Sequence, residues 1–283
     1  MLLQGVIQMK PDLSEISLFY LEFGAGIPFI CLHGAGADHT LTRYVMEPIF
    51  EGRDGWRRIY PDLPGHGETK GSDLITTQDQ VLDAVIEFID SILPGGHFVL
   101  GGESYGGYVS LGILSRMADR IDGLLLVVPA VTRPSNPSML PSKRAILESP
   151  DLMKELDPNT KEFLQAMLVV QNRDVIEAIT TVLLPVLRSQ DEDFMKRVLR
   201  ENPSFSSDVS HLNKPFDKPA LFLTGRQDHI CGYKASMDLI DDFPRASYAV
   251  LDRAGHGLEV EQQTVMRCLV NEWIDRVEES IAS

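Results

Sequence analysis

The strongest constraint on this chain is a turn that must be tight: Gly102-Glu103-Ser104-Tyr105-Gly106 lies between the apolar run His97-Phe98-Val99-Leu100 and a stretch, Tyr105 to Met117, that patterns as a helix. A serine on a sharp strand-to-helix turn sits in a strained backbone, and the residues two before and two after it must be small for the helix to cross the strand. Gly102 and Gly106 meet that need, and Gly107 adds room. Because Gly and Ser are common, the pentapeptide alone decides little, and its flanks carry the weight. The turn Pro94-Gly95-Gly96 starts the strand and the apolar pattern after Ser104 supplies the helix.

Comparable apolar runs recur along the chain. Ile16 to Phe23, Pro28 to Leu32, Arg57 to Pro61, Phe98 to Gly101, Leu124 to Val128, Ala220 to Leu223 and Ala246 to Leu251 read as strands. Between them, Thr77 to Leu93 and Gln262 to Val277 carry apolar residues at helical period. Strands alternating with helices predict an α/β fold, a mostly parallel sheet flanked by helices on both faces. In open sheets of this kind a ligand crevice lies at the carboxyl ends of the strands. His33, Ser104, Asp228 and His256 all follow strand-like runs and are therefore predicted at that end.

The alternation breaks from Val131 to about Asn213. A Pro-rich opening, Thr132-Arg133-Pro134-Ser135-Asn136-Pro137, is followed by helical patterns with no strand signal until after Pro215 and Pro219. Phe163, Leu164, Met167, Leu168 and Val170 form an apolar stripe, and Ser189-Gln190-Asp191-Glu192 has the form of a capping box ahead of Phe194, Val198 and Leu199. The expected organisation is a core of residues 1–130 and 214–283 with a helical cap insertion, 131–213, over the strand ends. Met139, Leu140, Phe163, Met167 and Val170 are the expected lining of an apolar substrate pocket under that cap.

Composition removes several classes of function. A formal net charge of −15, with basic residues only in isolated pairs such as Arg57-Arg58 and Lys143-Arg144, argues against nucleic acid as a partner. The longest apolar run, Leu124 to Val131, is too short to cross a bilayer and contains Pro129, and Met1 to Lys10 lacks the charged and apolar regions of a signal peptide. A cytoplasmic protein, monomer or homodimer, is expected. Cys31, Cys231 and Cys268 match neither a disulfide framework nor a metal site and are expected reduced, with Cys231 packing close to Asp228. His33, His39 and His66 lack the ligand spacing of a metal centre, and no Gly-rich stretch forms a nucleotide loop, so no cofactor and no metal is implied.

The chain order Ser104 in Gly102-Glu103-Ser104-Tyr105-Gly106, Asp228 after Leu221-Phe222-Leu223-Thr224-Gly225, and His256 in Ala254-Gly255-His256-Gly257 resembles the α/β-hydrolase superfamily, in particular its cap-bearing, esterase-like serine hydrolases. The resemblance implies that Ser104 attacks a carbonyl carbon, that His256 takes its proton and later delivers it to the leaving group, and that Asp228 orients the imidazole. Some relatives carry the acid after the strand that follows the nucleophile. Here that strand ends in Val128-Pro129-Ala130, without a carboxylate, which favours Asp228. The resemblance assigns the oxyanion hole to the backbone N–H groups of Tyr105 and of Ala35 in His33-Gly34-Ala35-Gly36, a departure from the HGGG form of many lipases. His33 is expected to hold its own loop by hydrogen bonds, and Asp62-Leu63-Pro64-Gly65-His66-Gly67 resembles an architectural turn of the family. The activity implied is hydrolysis of a small apolar carboxylic ester through an acyl-enzyme by a carboxylesterase. The alternatives are cleavage of a carbon–carbon bond in a diketone-like substrate and a ligand sensor that keeps the triad but uses the cap pocket for binding.

Overall fold

The computed structural model of the chain describes residues 2–8, 17–132, 136–187 and 190–283. Eight strands form one sheet: β1 (Leu2–Gln8), β2 (Ser17–Gly24), β3 (Ile27–Leu32), β4 (Trp56–Pro61), β5 (Phe98–Glu103), β6 (Ile121–Val127), β7 (Ala220–Gly225) and β8 (Ala246–Leu251), in the order β1-β2-β4-β3-β5-β6-β7-β8. β2 runs antiparallel to both β1 and β4, and every pairing from β4 through β8 is parallel. The expected strands are all present, and the N-terminal β1 is an addition. Its sequence, Leu-Leu-Gln-Gly-Val-Ile-Gln, is too short and too weakly alternating to signal a strand on its own.

The central strands read as continuous apolar runs because both of their faces are covered. Along β5, Phe98 and Leu100 belong to one core and Val99 to the other; along β6, Leu124 and Leu126 alternate in the same way with Leu125 and Val127. The first core packs under α2 (Gln78–Ile92) and α3 (Tyr105–Met117), through Val81, Val85, Phe88, Val109 and Ile113. The second packs against α1 (His39–Met46) and the C-terminal helix Gln263–Ala282, through Leu41, Val45, Val270 and Trp273. Thr77 closes the start of α2 with a full capping box on Gln80, which fixes the helix where the sequence pattern begins.

Between β6 and β7 the described residues form no strand. The segment holds α4 (Pro150–Lys154), α5 (Pro158–Met167), α6 (Arg173–Ala178), a π-helical stretch Ile179–Leu183, α7 (Leu184–Leu187), α8 (Glu192–Phe194) and a second π-helical stretch Met195–Arg200. Two of its expected features differ in detail. The stripe from Phe163 to Val170 is not one helix: α5 stops at Met167, Leu168 is extended, the chain bends at Val169 and Val170 bridges Leu147, because Glu261 takes the N–H groups of Val169 and Val170 that a longer helix would have used. The cap of α8 is Asp191, whose side chain accepts from Phe194 N; Ser189 lies outside the described residues, as do Arg133, Pro134 and Ser135 of the Pro-rich run.

Several contacts bind this helical segment to the sheet domain. Gln190 donates to the Gly36 carbonyl at 2.6 Å, Gln78 donates to the Val198 carbonyl at 2.9 Å, and Phe205 stacks on Tyr108 at 4.3 Å between centroids. The chain then returns to β7, and α9 (Lys234–Met237), α10 (Leu258–Glu261) and α11 (Gln263–Ala282) complete the fold.

Candidate active site

The turn at Ser104 has the strain its sequence predicts. Ser104 sits at φ 49° and ψ −111°, a conformation that L-residues seldom adopt, at the junction of β5 and α3. The flanking glycines are forced by close approach. A Cβ on Gly102 would fall 2.4 Å from the Gly106 carbonyl oxygen, and one on Gly106 would fall 2.3 Å from that of Leu32. The backbone on either side holds the strained residue: Ser104 N donates to the Val127 carbonyl, and the Ser104 carbonyl accepts from Ala130 N at 3.0 Å.

Asp228 follows β7, and His256 lies on the loop between β8 and α10, so the sheet delivers all three side chains to its carboxyl edge. His256 Nε2 is 2.9 Å from Ser104 Oγ, and His256 Nδ1 is 3.1 Å from Asp228 Oδ2. A carboxylate can only accept, so Nδ1–H donates to Asp228 and Nε2 is left to accept the Ser104 hydroxyl proton. Asp228 Oδ1 in turn accepts from the N–H groups of Ile230 and Cys231 at 2.9 and 3.1 Å. Asp228 is fully buried, and Ser104 and His256 are each 7% exposed.

Electrostatics reinforce the arrangement. Burial would lower the affinity of His256 for a proton, but the adjacent Asp228 carboxylate, helped by Cys231, more than offsets it and holds the imidazole well above its ordinary range. Burial also acts against an ionised Asp228. The positive field of His256 and the hydrogen bonds from His256, Ile230 and Cys231 win, and its carboxyl stays below the usual carboxylate range. A buried cysteine, Cys231, brings its sulfur within 4.8 Å of ligand atoms on Asp228 and His256.

The loop after β3 approaches the same edge. His33 does what the sequence suggests: Nδ1–H donates to the Gly34 carbonyl at 2.8 Å and Nε2 accepts from Leu63 N at 2.9 Å. Burial pushes its pKa down to about 3, so it is a neutral strut. Ala35 is exposed at the tip of that loop, and Tyr105 is buried at the first position of α3 with its hydroxyl donating to Gln78 at 2.8 Å. The turn from Asp62 to Gly67 is built by Asp62, fully buried, which accepts from the N–H groups of His39 and Glu68 and from the His39 ring. That role accounts for the cluster Asp38, His39 and Asp62, since Asp38 is the N-cap of α1.

The expected lining residues are spread unevenly. Met139 and Leu140 lie against Gly232, on the loop that carries Asp228, and the Met167 carbonyl abuts Gly255, next to His256. Met167 and Phe163 are partly buried against the second core, whereas Val170 is buried within it. The sequence reading passed over three acids. Glu103 sits beside the nucleophile, and Glu259 and Glu261 are buried on α10, with Glu261 accepting from Gly255, Val169 and Val170. Acids on a short helix read as solvent-facing, so Glu259 and Glu261 gave no signal; Glu103 could have been noticed as an ionisable residue inside a turn that must be buried.

This fold with this site defines an α/β hydrolase. The chain belongs to the family described as Serine aminopeptidase, S33, whose model matches residues 29–263. A crystal structure of an α/β superfamily hydrolase from Oenococcus oeni PSU-1 superposes with a TM-score of 0.83 at 26% identity, covering 97% of this chain and 99% of the other. Among curated relatives, the 2-hydroxymuconate semialdehyde hydrolase of Pseudomonas sp. (strain CF600) is 24% identical, over 89% of this chain and 88% of its own. Methylesterase 8 of Arabidopsis thaliana is 25% identical, over 76% of this chain and 78% of its own. Among the described residues no helix is long and apolar enough to cross a membrane.

Proposed function

We propose that the protein is a serine hydrolase that cleaves a small, apolar carboxylic ester through an acyl-enzyme, with Ser104 as nucleophile, His256 as general base and acid, and Asp228 as the residue that orients and charges the imidazole. The hydrogen-bond chain Ser104 Oγ to His256 Nε2, His256 Nδ1 to Asp228 Oδ2, carries the reading. A serine hydroxyl is a weak nucleophile near neutral pH, and this chain supplies both the base that activates it and the fixed tautomer that the base needs. The carbonyl oxygen of the substrate would turn negative near the N–H groups of Tyr105 and Ala35, the donors that the family resemblance assigns. Each such donor is worth about 3 kcal/mol of barrier.

A second reading, hydrolysis of a carbon–carbon bond in a diketone-like substrate, draws on the same triad and on the relative named as a 2-hydroxymuconate semialdehyde hydrolase. Parallel assays on activated esters and on vinylogous diketones separate the two. Fast turnover of esters with none on diketones is the expected result, and the reverse preference would replace the ester reading. A protein that acylates once and does not turn over would instead support the sensor reading.

Residues 131–213 act as a cap, and Met139, Leu140, Phe163 and Met167 mark the apolar side of the pocket it covers, Val170 being buried in the second core. Support comes from the seats of Met139 and Leu140 on the Asp228 loop and of Met167 beside Gly255. Each added methylene of the acyl group should then improve binding by about 0.8 kcal/mol until the pocket is full. The dependence of kcat/KM on acyl length should rise and fall, and Met167→Trp, by filling volume, should move the maximum to shorter chains. An unchanged profile in a folded Met167→Trp protein would remove α5 from the pocket and leave the triad as it stands.

A further inference from the structure

Residues of β3, α1, β5, β6, α10 and α11 enclose a small cavity of about 20 Å³, room for one water molecule. Its walls are almost wholly apolar, and Thr42, Glu103 and Glu259 are among the residues that form them. Among the described residues, no lysine, arginine or histidine lines it. Glu103 is the residue before Ser104, and its carboxyl lies against Gly34 of the oxyanion loop, where a Cβ would come within 2.2 Å of Oε2, and accepts the Gly34 N–H. Glu259 comes from α10, just after the histidine loop; its Oε2 is buried and has no hydrogen-bond partner among the described residues.

Two ionised carboxylates beside one small apolar space repel each other, and His256, the group of opposite sign that reaches both, is neutral whenever it acts as the base. We propose that Glu103 and Glu259 are an acid–carboxylate pair that holds one proton between them at neutral pH, the proton on Glu259 and the charge on Glu103, and that this charge is a second counter-ion for the imidazolium formed on His256. Glu103 would thus be a positioning residue for the nucleophile turn, joining the oxyanion loop, the elbow and the histidine loop through one partly buried charge. The proposal rests on reading His256 as the base of an ester hydrolase.

The charges facing the pair agree with that division. Glu103 is reached by Glu259 from α10, by His256 and by Asp228, and beside it burial and the Glu103 charge push the Cys31 thiol far up. Glu259 is reached by Glu103, His256 and its helix neighbour Glu261. Burial raises Glu103 to about 7 and, with the repulsion of Glu103, raises Glu259 to about 8; Glu259 is the proton holder because its Oε2 has no hydrogen-bond partner among the described residues, whereas the Glu103 carboxyl accepts the Gly34 N–H.

The sign of the effect can be worked out for each partner. The acid limb of kcat/KM reports loss of the proton from His256, and a nearby negative charge keeps that proton on and moves the limb to higher pH. Glu103→Gln keeps the acceptor for Gly34 N–H and removes the charge; burial, the larger influence on Glu259, still favours its neutral form once the Glu103 repulsion is gone, and the limb should move to lower pH by about half a unit or more. Glu259→Gln replaces a side chain that is already neutral and leaves the Glu103 charge in place, so the limb should stay put. Limbs that coincide with wild type in both variants, or that both move down, would overturn the proposal. Infrared difference spectroscopy of the wild-type protein provides the reading if a variant fails to fold and needs no turnover. A protonated carboxyl C=O band should persist at neutral pH and titrate just above it, and its absence would overturn the pair whatever the enzyme proves to cleave.

Discussion

Replacing Ser104 with alanine is expected to lower kcat on an activated ester by about 10⁴-fold or more, and His256→Ala by a similar factor, with the double variant hardly worse than either. The reason is geometric. The Ser104 hydroxyl is useful as a nucleophile only while Nε2 of His256, 2.9 Å away, can take its proton, so losing either removes the same step. Steady-state rates of the three proteins, with thermal unfolding as a check that each is folded, decide the matter. Losses that multiply would mean that serine and histidine serve separate steps and that the hydrogen bond between them is incidental.

The second large effect is expected at Asp228. Asp228→Asn keeps shape and can keep the bonds from Ile230 and Cys231 N–H, because an amide oxygen can replace Oδ1. The other position becomes an NH₂ group, which cannot accept from Nδ1–H; the imidazole is pushed to the tautomer whose proton sits on Nε2, and it can no longer receive one from Ser104. A loss in kcat of about 10⁴-fold in a protein of near-native stability is the expected result. A loss below about tenfold would show that another group orients His256. Of the groups near the imidazole, Glu103 and Cys231 are the ones that a further substitution would have to test.

Much of the sheet is legible in the sequence because parallel strands buried on both faces announce themselves as unbroken apolar runs, as Leu221-Phe222-Leu223 and Leu124-Leu125-Leu126 do here. The elbow is legible for a different reason: a strained Ser104 needs Gly102 and Gly106, and close backbone contact leaves no alternative to glycine there. What could not be read depends on partners distant in sequence. Glu261 ends the expected stripe at Met167 by drawing Val169 and Val170 into hydrogen bonds across a separation of about ninety residues, and no periodicity within residues 158–170 encodes that. Glu259 looks like a surface acid for the same reason, since the cavity that buries it is made by β3, α1 and β5. β1 depends on pairing with β2 for its existence, and its own pattern is weak.

Rapid-quench intact-protein mass spectrometry with a slowly deacylating ester detects the acyl-enzyme on Ser104 itself. A transient mass increase equal to one acyl group is expected in the wild-type protein, mapped by peptide digestion to Ser104 and missing from Ser104→Ala. Turnover of the ester without any adduct on Ser104, or an adduct of the same size that survives in Ser104→Ala, would contradict it.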